Sequence, residues 1–234
     1  MTAAPLHLAG ERLMLDPSGA LYWPAARLLV LADLHLEKGS AAAAHGRLLP
    51  PYDSRATLDR IALILRHYPA ERLLLLGDSF HDSEGAARLA EADRARLAAL
   101  QMRAELFWVL GNHDAALPTT LPGRILPDWR EGPFIFRHAA EGAALASDGL
   151  EISGHYHPKA KVAVRGATIS RPCFITDGRK RLILPAFGSY TGGLDVSDPA
   201  IARLFPRGAR LFLLGQDRLF HFHGAAARRG AEAA

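Results

Sequence analysis

The sequence contains one cysteine, Cys173, and no apolar run near the roughly 18 residues that a membrane-spanning helix needs. A single cysteine excludes an intramolecular disulfide, and we interpret Cys173 as a buried structural thiol. Residues 1–10 lack both a basic start and a long apolar stretch, so no signal peptide is predicted. These absences predict a cytoplasmic protein with no membrane partner.

A strong excess of one charge is also missing, since 28 Lys and Arg stand against 24 Asp and Glu, a formal net charge of +4. This balance permits a polyanionic partner without requiring one. Hydrophobic residues make up 49% of the 234 positions, enough for a sizeable core. The chain has 11 histidines. Those in or beside the loops described below are His35, His81, His113, His138, His155 and His157.

The first half of the chain alternates buried strands with helices. Continuous apolar runs are typical of parallel strands that are buried on both faces. These runs are 27–32, 72–76 and 106–110. Helical spacing is found at 38–45, 53–67 and 84–102. Residues 6–22 predict an N-terminal hairpin that turns at 16–19. The repeat of strand, loop and helix predicts an α/β fold with a parallel sheet.

The second half is rich in short strands. The predicted strands are 134–136, 150–153, 161–164, 168–175, 182–184, 211–213 and 218–222. Asp177-Gly178 is a hairpin-turn signal, and helical pattern is limited to 199–205. We expect a second sheet packed on the first, one domain over 1–224, and a disordered tail at 225–234.

Residues of the types that bind metals stand where four of these strands end. They are Asp33 and His35, Asp78, Gly111 to Asp114, and His155 with His157. Ligands gather at the carboxyl ends of strands in open α/β sheets. In an extended segment, residues i and i+2 point to one side, so Asp33 with His35 and His155 with His157 are expected to donate from adjacent pleats. Each motif alone is also consistent with a capping Asp or an exposed His.

Taken together, the donors mix oxygen and nitrogen, which suits Mn, Fe or Zn better than a closed cysteine site. Two ions at such a site activate water and clamp a phosphoryl group. The ordered motifs DLH, GD, GNHD, H and GHYH, from Asp33 to His157, resemble the calcineurin-like metallophosphoesterase superfamily. The resemblance implies an α/β fold, a four-layer αββα sandwich of two mixed sheets flanked by helices, with a dinuclear site.

The resemblance also implies a role for each site residue. One ion is held by Asp33, His35 and His157; the other is held by Asn112, His138 and His155; Asp78 bridges them. His138 lacks the Gly-His context usual in the superfamily. A metal-bridging hydroxide attacks the phosphodiester, His113 protonates the leaving oxygen as general acid, and Asp114 is expected to orient His113.

Longer stretches resemble a narrower group, the bacterial ligase-associated DNA-damage-response endonuclease (PdeM) family. They are ADLHLEKG (32–39), GRLLPPYD (46–53), LGDSFHD (76–82), SGHYHPK (153–159) and LPAFGSYTGGLDV (184–196). This resemblance implies two Mn ions, with Fe or Zn as alternatives, and cleavage of DNA, preferentially single-stranded. It also implies a role in DNA repair and a functional association with a DNA ligase, a helicase and an exonuclease.

Several residues bear on the substrate. A His three residues after the bridging Asp is similar to double-strand-break repair nucleases of the superfamily, so His81 is predicted to help place the scissile phosphate; a helix-capping His is the alternative. Basic residues are frequent from Lys159 to Arg181, which predicts either a phosphate track or a solvated hairpin. Lys159 and Arg171 are the predicted phosphate contacts, and Tyr190 is a predicted base contact.

Two other functions remain open. A phosphodiesterase for small nucleotides, such as cyclic nucleotides or nucleotide anhydrides, needs the same metal ligands. A non-catalytic module that recruits a partner would keep the fold without turnover. The sensitivity of activity to salt separates the first alternative from a nuclease, because only a polyanionic substrate releases many counterions on binding.

Overall fold

The structure, a computed structural model, describes residues 2–141, 149–164 and 167–224. Its first sheet has seven strands in sequential order. They are β1 (Ala4–Leu8), β2 (Glu11–Leu15), β3 (Leu21–Trp23), β4 (Leu28–Ala32), β5 (Arg72–Leu76), β6 (Glu105–Val109) and β7 (Arg124–Leu126). Strands β1 to β4 pair antiparallel, and β4 to β7 pair parallel. The first sheet is therefore mixed, and the predicted parallel pairing is confirmed for β4, β5 and β6.

The second sheet is also mixed. Its strands are β8 (Trp129–Glu131), β9 (Phe134–Arg137), β10 (Leu150–Ser153), β11 (Lys159–Val164), β12 (Ala167–Thr176), β13 (Arg181–Ile183), β14 (Ala209–Leu214) and β15 (Leu219–Gly224). The order is β15-β14-β12-β13-β10-β9-β8, with β11 paired to β12. Strands β9, β10 and β13 run parallel, so their carboxyl ends lie on one side.

Helices cover the outer faces of the two sheets. They are α1 (Lys38–Ala44), α2 (Asp53–His67), α3 (Gly85–Arg88), α4 (Glu91–Gln101) and α5 (Pro199–Ala202). Leu58 and Ile61 of α2 pack into the apolar core on the outer face of the first sheet, and Ile201 of α5 packs into the core on the second. None of the described helices is long and apolar enough to span a bilayer.

A third apolar core lies between the sheets. Val30 and Leu74 of the first sheet pack there with Phe134, Phe136 and Phe174 of the second. The order of layers is helix, sheet, sheet, helix, as predicted. Apolar side chains on both faces of β4 and β5 explain why those strands are continuous hydrophobic runs.

Some predicted elements differ from the structure. The N-terminal region has an additional turn at Ala9 and Gly10, both with positive φ, so three strands form where one hairpin was predicted. The segment between β6 and β7 contains no helix, so the third repeat is incomplete. The three-residue strands β7 and β8 were not predicted because they are too short to show a period. The tail predicted at 225–234 lies outside the described residues.

The helix predicted at 84–102 is two helices, α3 and α4. Leu89 and Ala90 between them have extended ψ values of 122° and 150°. Arg94 donates hydrogen bonds to the carbonyl oxygens of Leu89, Ala86 and Ala87. A side chain thus replaces the backbone donors that a continuous helix would supply, which permits the break.

A buried carboxylate on β10 pairs with arginines of the two neighbouring strands, β9 and β13. Glu151 of β10 is fully buried (0%) and lies 3.2 Å from Arg181 Nε and 3.6 Å from Arg137 Nε. Burial raises the pKa of Glu151, and the two arginines oppose that rise. Arg181 also donates to the carbonyl oxygens of Glu141 and Leu204. Cys173 is buried as predicted, and burial raises the pKa of its thiol to about 12.

We predict that Glu151→Ala lowers the free energy of unfolding by about 3–5 kcal/mol, because it removes the carboxylate that faces the buried Arg181 guanidinium and leaves Arg137 with Glu141 as its remaining acidic partner. Denaturation in urea measures the change. Glu71→Ala is the control, since the Glu71–Arg27 pair has side-chain exposures of 60% and 54%. That variant should lose less than about 1 kcal/mol. Equal losses in the two variants would contradict the role of Glu151.

Candidate metal centre

Five loops meet at one edge of the two sheets because each follows the carboxyl end of a parallel strand. They contain Asp33 and His35 after β4, Asp78 after β5, Asn112 after β6, His138 after β9, and His155 with His157 after β10. Backbone hydrogen bonds join them. His35 N donates to Asp78 O at 2.9 Å, and Gly154 N donates to His138 O at 3.0 Å. His155 N of the second sheet donates to Asp33 Oδ2 of the first at 2.9 Å, so the loops of both sheets form one continuous site.

The backbone of these loops is left-handed, not extended. The φ values are +53° at Asp33, +43° at His35, +45° at Asp78, +71° at His155 and +45° at His157. The expectation that i and i+2 donate from adjacent pleats is therefore wrong. A non-glycine residue in this region carries a conformational cost, so packing around the site must hold these residues in place.

The first group of donors consists of Asp33, His35 and His157. The Nε2 atoms of His35 and His157 are 3.2 Å apart. Asp33 Oδ1 lies 3.5 Å from His157 Nε2. Asp33 also accepts hydrogen bonds from the backbone N–H of His155, at 3.1 and 2.9 Å, which fixes its carboxylate.

The second group consists of Asp78, His138 and His155. His138 Nε2 lies 3.0 Å from His155 Nδ1 and 3.4 Å from Asp78 Oδ1. Asn112 Oδ1 lies 2.9 Å from the same His138 nitrogen. His155 and His157 therefore turn to different groups although they are two residues apart. All seven predicted metal ligands lie in these two groups or, for Asn112, against one of them.

Asp78 lies between the two groups. Its Oδ2 is 3.8 Å from His35 Nε2, while its Oδ1 faces His138 and accepts a hydrogen bond of 2.9 Å from the backbone N–H of His113. A Cβ at Gly111 would collide with the Asp78 amide nitrogen and carboxylate. Glycine at that position is what allows the loop after β6 to approach Asp78.

The donor separations fit bound metal ions. Ligands about 2.1 Å from one ion and at right angles to each other are about 3.0 Å apart. The close pairs of ring nitrogens are 3.2 Å and 3.0 Å apart. Burial lowers the pKa of His35 to about 2 and that of His138 to about 4, so both rings are neutral and offer lone pairs. The residues present therefore fit two divalent cations.

His113 lies at the open side of the site, with 41% of its side chain exposed and Nε2 3.9 Å from Asp78 Oδ2. Its Nδ1 lies 2.8 Å from the carbonyl oxygen of His81. Asp114, which was predicted to orient His113, forms its hydrogen bonds elsewhere in the structure. Asp114 is fully buried and accepts hydrogen bonds from the amides of Ser79, Phe80 and Gly111.

His81 borders the first group of donors. Its ring stacks on His113, with centroids 5.5 Å apart, and meets the edge of His35 at 5.6 Å. Burial lowers the pKa of His81, and the positive charge of Lys38 lowers it further. His81 is not placed as a helix cap, because the described helix α3 starts at Gly85 with Glu84 as its N-cap.

Lys38 was not among the predicted site residues. It is the first residue of α1, and its charge contributes to the lowered pKa of both His35 and His81. The preceding Glu37 is buried and accepts hydrogen bonds from Ser40 and Ser54. The sequence signal that could have identified Lys38 is its position three residues after the predicted ligand His35, within the stretch ADLHLEKG.

The three predicted substrate contacts lie on segments that adjoin the metal loops in the chain or by hydrogen bonds. Lys159 begins β11 directly after the His157 loop, and exposed Arg171 of β12 pairs in register with Ala160. Tyr190, 36% exposed, donates a hydrogen bond to Pro50 O at 3.1 Å. The loop that carries Tyr190 is joined to the metal loops, since Gly188 N donates to Asp33 O at 3.1 Å.

The basic run from 159 to 181 does not form one track. Lys159, Lys161 and Arg171 lie near the His157 loop, whereas Arg179, Lys180 and Arg181 follow the far end of β12. Lys161 pairs with Asp195 at 3.7 Å, and Arg181 is buried against Glu151. Arg165 lies outside the described residues.

The chain is similar to a known protein family and to solved structures. The family model for the calcineurin-like phosphoesterase matches residues 26–176. The nuclease MPE of Pseudomonas putida is 26% identical, with a TM-score of 0.71 over 94% of this chain and 100% of that one. The phosphoesterase Yfce from E. coli is 14% identical, with a TM-score of 0.43 over 86% of this chain and 99% of that one. A search of curated protein sequences found no significant match.

The family model covers well over half of the chain, and its span includes every proposed metal ligand from Asp33 to His157. The chain therefore belongs to the calcineurin-like phosphoesterase family and is a metal-dependent phosphoester hydrolase.

Proposed function

We propose that this protein is a dinuclear-metal phosphodiesterase that cuts DNA, with a preference for single strands. The observation that carries the dinuclear proposal is the position of Asp78, whose two carboxylate oxygens face different donor groups, at 3.8 Å from His35 Nε2 and 3.4 Å from His138 Nε2. One carboxylate placed in this way is suited to bridge two ions.

The proposed ions are Mn²⁺, with Fe or Zn as alternatives, because carboxylate, amide and imidazole donors suit these metals. When bound, two such ions supply an activated water nucleophile and Lewis acids that stabilise charge on the phosphoryl oxygens. Asp33, His35 and His157 hold one ion, and Asn112, His138 and His155 hold the other. The residues themselves orient the ions and the phosphate.

His113 is the proposed proton donor to the leaving oxygen. The His81 carbonyl accepts the Nδ1 proton, so Nε2 is the ring atom left to exchange a proton on the side of Asp78. His81 packs on both His113 and His35, and we propose that it positions the scissile phosphate together with Lys38. In contrast, Asp114 supports the site indirectly by holding the amides of Ser79, Phe80 and Gly111.

Two observations support DNA as the substrate. The Pseudomonas putida protein that this chain resembles along nearly its whole length is a nuclease. Lys159 and Arg171 stand beside the His157 loop, where they can contact phosphates flanking the cleaved bond. Tyr190 donates a hydrogen bond to Pro50 O, and the exposed Tyr52 follows two residues after Pro50. We propose that both tyrosines stack on unpaired bases.

The proposed role in bacterial DNA repair rests on the resemblance of the sequence motifs alone. The same is true of the proposed association with a DNA ligase, a helicase and an exonuclease. A small-nucleotide phosphodiesterase would use the same metal-binding residues. The salt dependence of KM and the cleavage of circular DNA distinguish it from a nuclease.

We predict that Asp78→Ala and Asn112→Ala each lower kcat for bis(p-nitrophenyl) phosphate by at least about 100-fold, because each removes a proposed donor to a metal ion. Metal content per chain, measured by mass spectrometry, should fall in the same variants. Circular dichroism checks that the fold is retained.

Asp59→Ala is the matched control, since Asp59 is an exposed residue of α2 that pairs with Arg96. It should keep full turnover and metal content. Wild-type turnover in both Asp78→Ala and Asn112→Ala would contradict the proposed centre.

We also predict that circular single-stranded DNA is cut faster than circular duplex DNA. Both substrates are tested with Mn²⁺, Mg²⁺, Zn²⁺ and Fe²⁺ in turn. KM for DNA should rise steeply with salt because phosphate contacts release counterions, whereas KM for bis(p-nitrophenyl) phosphate should change little. Initial rates at several salt concentrations measure both.

The Asp78→Ala protein, purified in the same way, controls for contaminating nucleases. Turnover of small nucleotides without cleavage of circular DNA would favour the small-nucleotide alternative.

A further inference from the structure

A second basic feature lies away from the metal centre. It is a cleft of about 550 Å³ between the β12–β13 turn and the segment after α5. We call it the basic cleft. Its lining residues are Asp177, Arg179, Lys180, Arg181, Arg203, Leu204, Phe205, Pro206, Arg207 and Gly208. The volume is in the range of sites that hold small ligands or parts of larger ones.

The charge of the basic cleft is unbalanced. Arg179, Lys180, Arg203 and Arg207 are exposed, and within the described residues none of these four lies in an ion pair. The one acidic residue of the lining is Asp177, whose Oδ1 accepts hydrogen bonds from three backbone amides of its own turn. Four like charges gathered around one concave surface create a positive potential that attracts anions.

The frame that carries these cations is rigid. Arg181 is 4% exposed and donates to the Leu204 carbonyl, which joins the two walls of the cleft. Leu204 and Phe205 are buried in the core beneath. The three amide bonds to Asp177 fix the turn that presents Arg179 and Lys180. The cations are therefore held on a preformed surface, which lowers the entropic cost of binding a ligand.

The position of the basic cleft relative to the metal centre follows from strand register. Arg181 pairs with Glu151, four residues before His155, in the parallel strands β13 and β10. At about 3.3 Å per residue the cleft lies roughly 13 Å from the His155 loop along the strands. A strand wound as in a duplex advances about 3.4 Å per phosphate along the axis, so about four nucleotides of such a strand, and fewer of an extended single strand, separate the two sites.

We propose that the basic cleft is a second phosphate-binding site, which holds the backbone of a nucleic acid strand whose scissile phosphate lies at the metal centre. This inference rests on the proposed nuclease function. Phosphodiester oxygens of the strand accept hydrogen bonds from Arg179, Lys180, Arg203 and Arg207. The basic cleft would contribute to the binding of long strands alone, because a dinucleotide bound at the metal centre is too short to reach the cleft.

The test compares the double variant Arg179→Ala/Arg207→Ala with wild-type protein. Binding of a fluorescent single strand of about 30 nucleotides is measured by anisotropy over a range of salt concentrations. We expect Kd to rise about tenfold. The slope of log K against log salt should become shallower by about 1.4, since two single-strand phosphate contacts are lost. Turnover of bis(p-nitrophenyl) phosphate should stay within about twofold, because neither residue lies at the metal centre.

Arg66→Ala/Arg103→Ala is the matched control, because it removes two arginines that line a different surface cleft, by α2 and α4. It should bind the long strand with wild-type affinity. A three-nucleotide strand should bind all three proteins equally.

The outcomes are distinguishable. Wild-type protein that binds no strand while it hydrolyses bis(p-nitrophenyl) phosphate would overturn the DNA function and the second site together. Wild-type protein that binds and cuts long strands, with an unchanged Kd and salt slope in Arg179→Ala/Arg207→Ala, would overturn the second site alone. An equal loss in the control variant would also overturn it, because net charge would then explain the effect.

Discussion

The site depends on the placement of one carboxylate between two sets of donors. Asp78 ends β5 and reaches His35 of the first sheet with one oxygen and His138 of the second with the other. It can do so because the parallel strands of both sheets end at the same edge. Gly111 lets the next loop close over it, and the His113 amide fixes its orientation. Moving either sheet would separate the donors, so the packing between the sheets sets the geometry of the site.

Conformational strain is concentrated at this edge and is balanced by buried hydrogen bonds. Five proposed ligands have positive φ, a conformation that an isolated chain would rarely adopt at non-glycine residues. Two carboxylates hold the loops in place. Asp114 accepts hydrogen bonds from three backbone amides of two loops. Asp33 accepts hydrogen bonds from the His155 amide with both of its carboxylate oxygens. A ligand set that is fixed before metal binding needs little reorganisation when ions and substrate arrive.

Much of the fold could be predicted because its central strands are buried on both faces. The runs that became β4, β5 and β6 are apolar at nearly every position, which is a strong local signal. Strands of three residues, such as β7 and β8, carry no period and exist because a longer neighbour offers hydrogen bonds. The break between α3 and α4 was missed for a related reason. Arg94 supplies donors from outside the segment, and no Gly or Pro marks the site.

The order of the motifs by itself determined the chemistry, since carboxylate, amide and imidazole donors are properties of individual residues. Tertiary structure alone decided how they are used. It sets a left-handed backbone at His155 and His157, where an extended segment was expected, and it assigns Asp114 to backbone amides instead of His113. It also divides the basic run between two ends of β12. The physical reason is that distance, burial and charge pairing depend on segments far apart in the chain, and these segments meet only when the two sheets pack together.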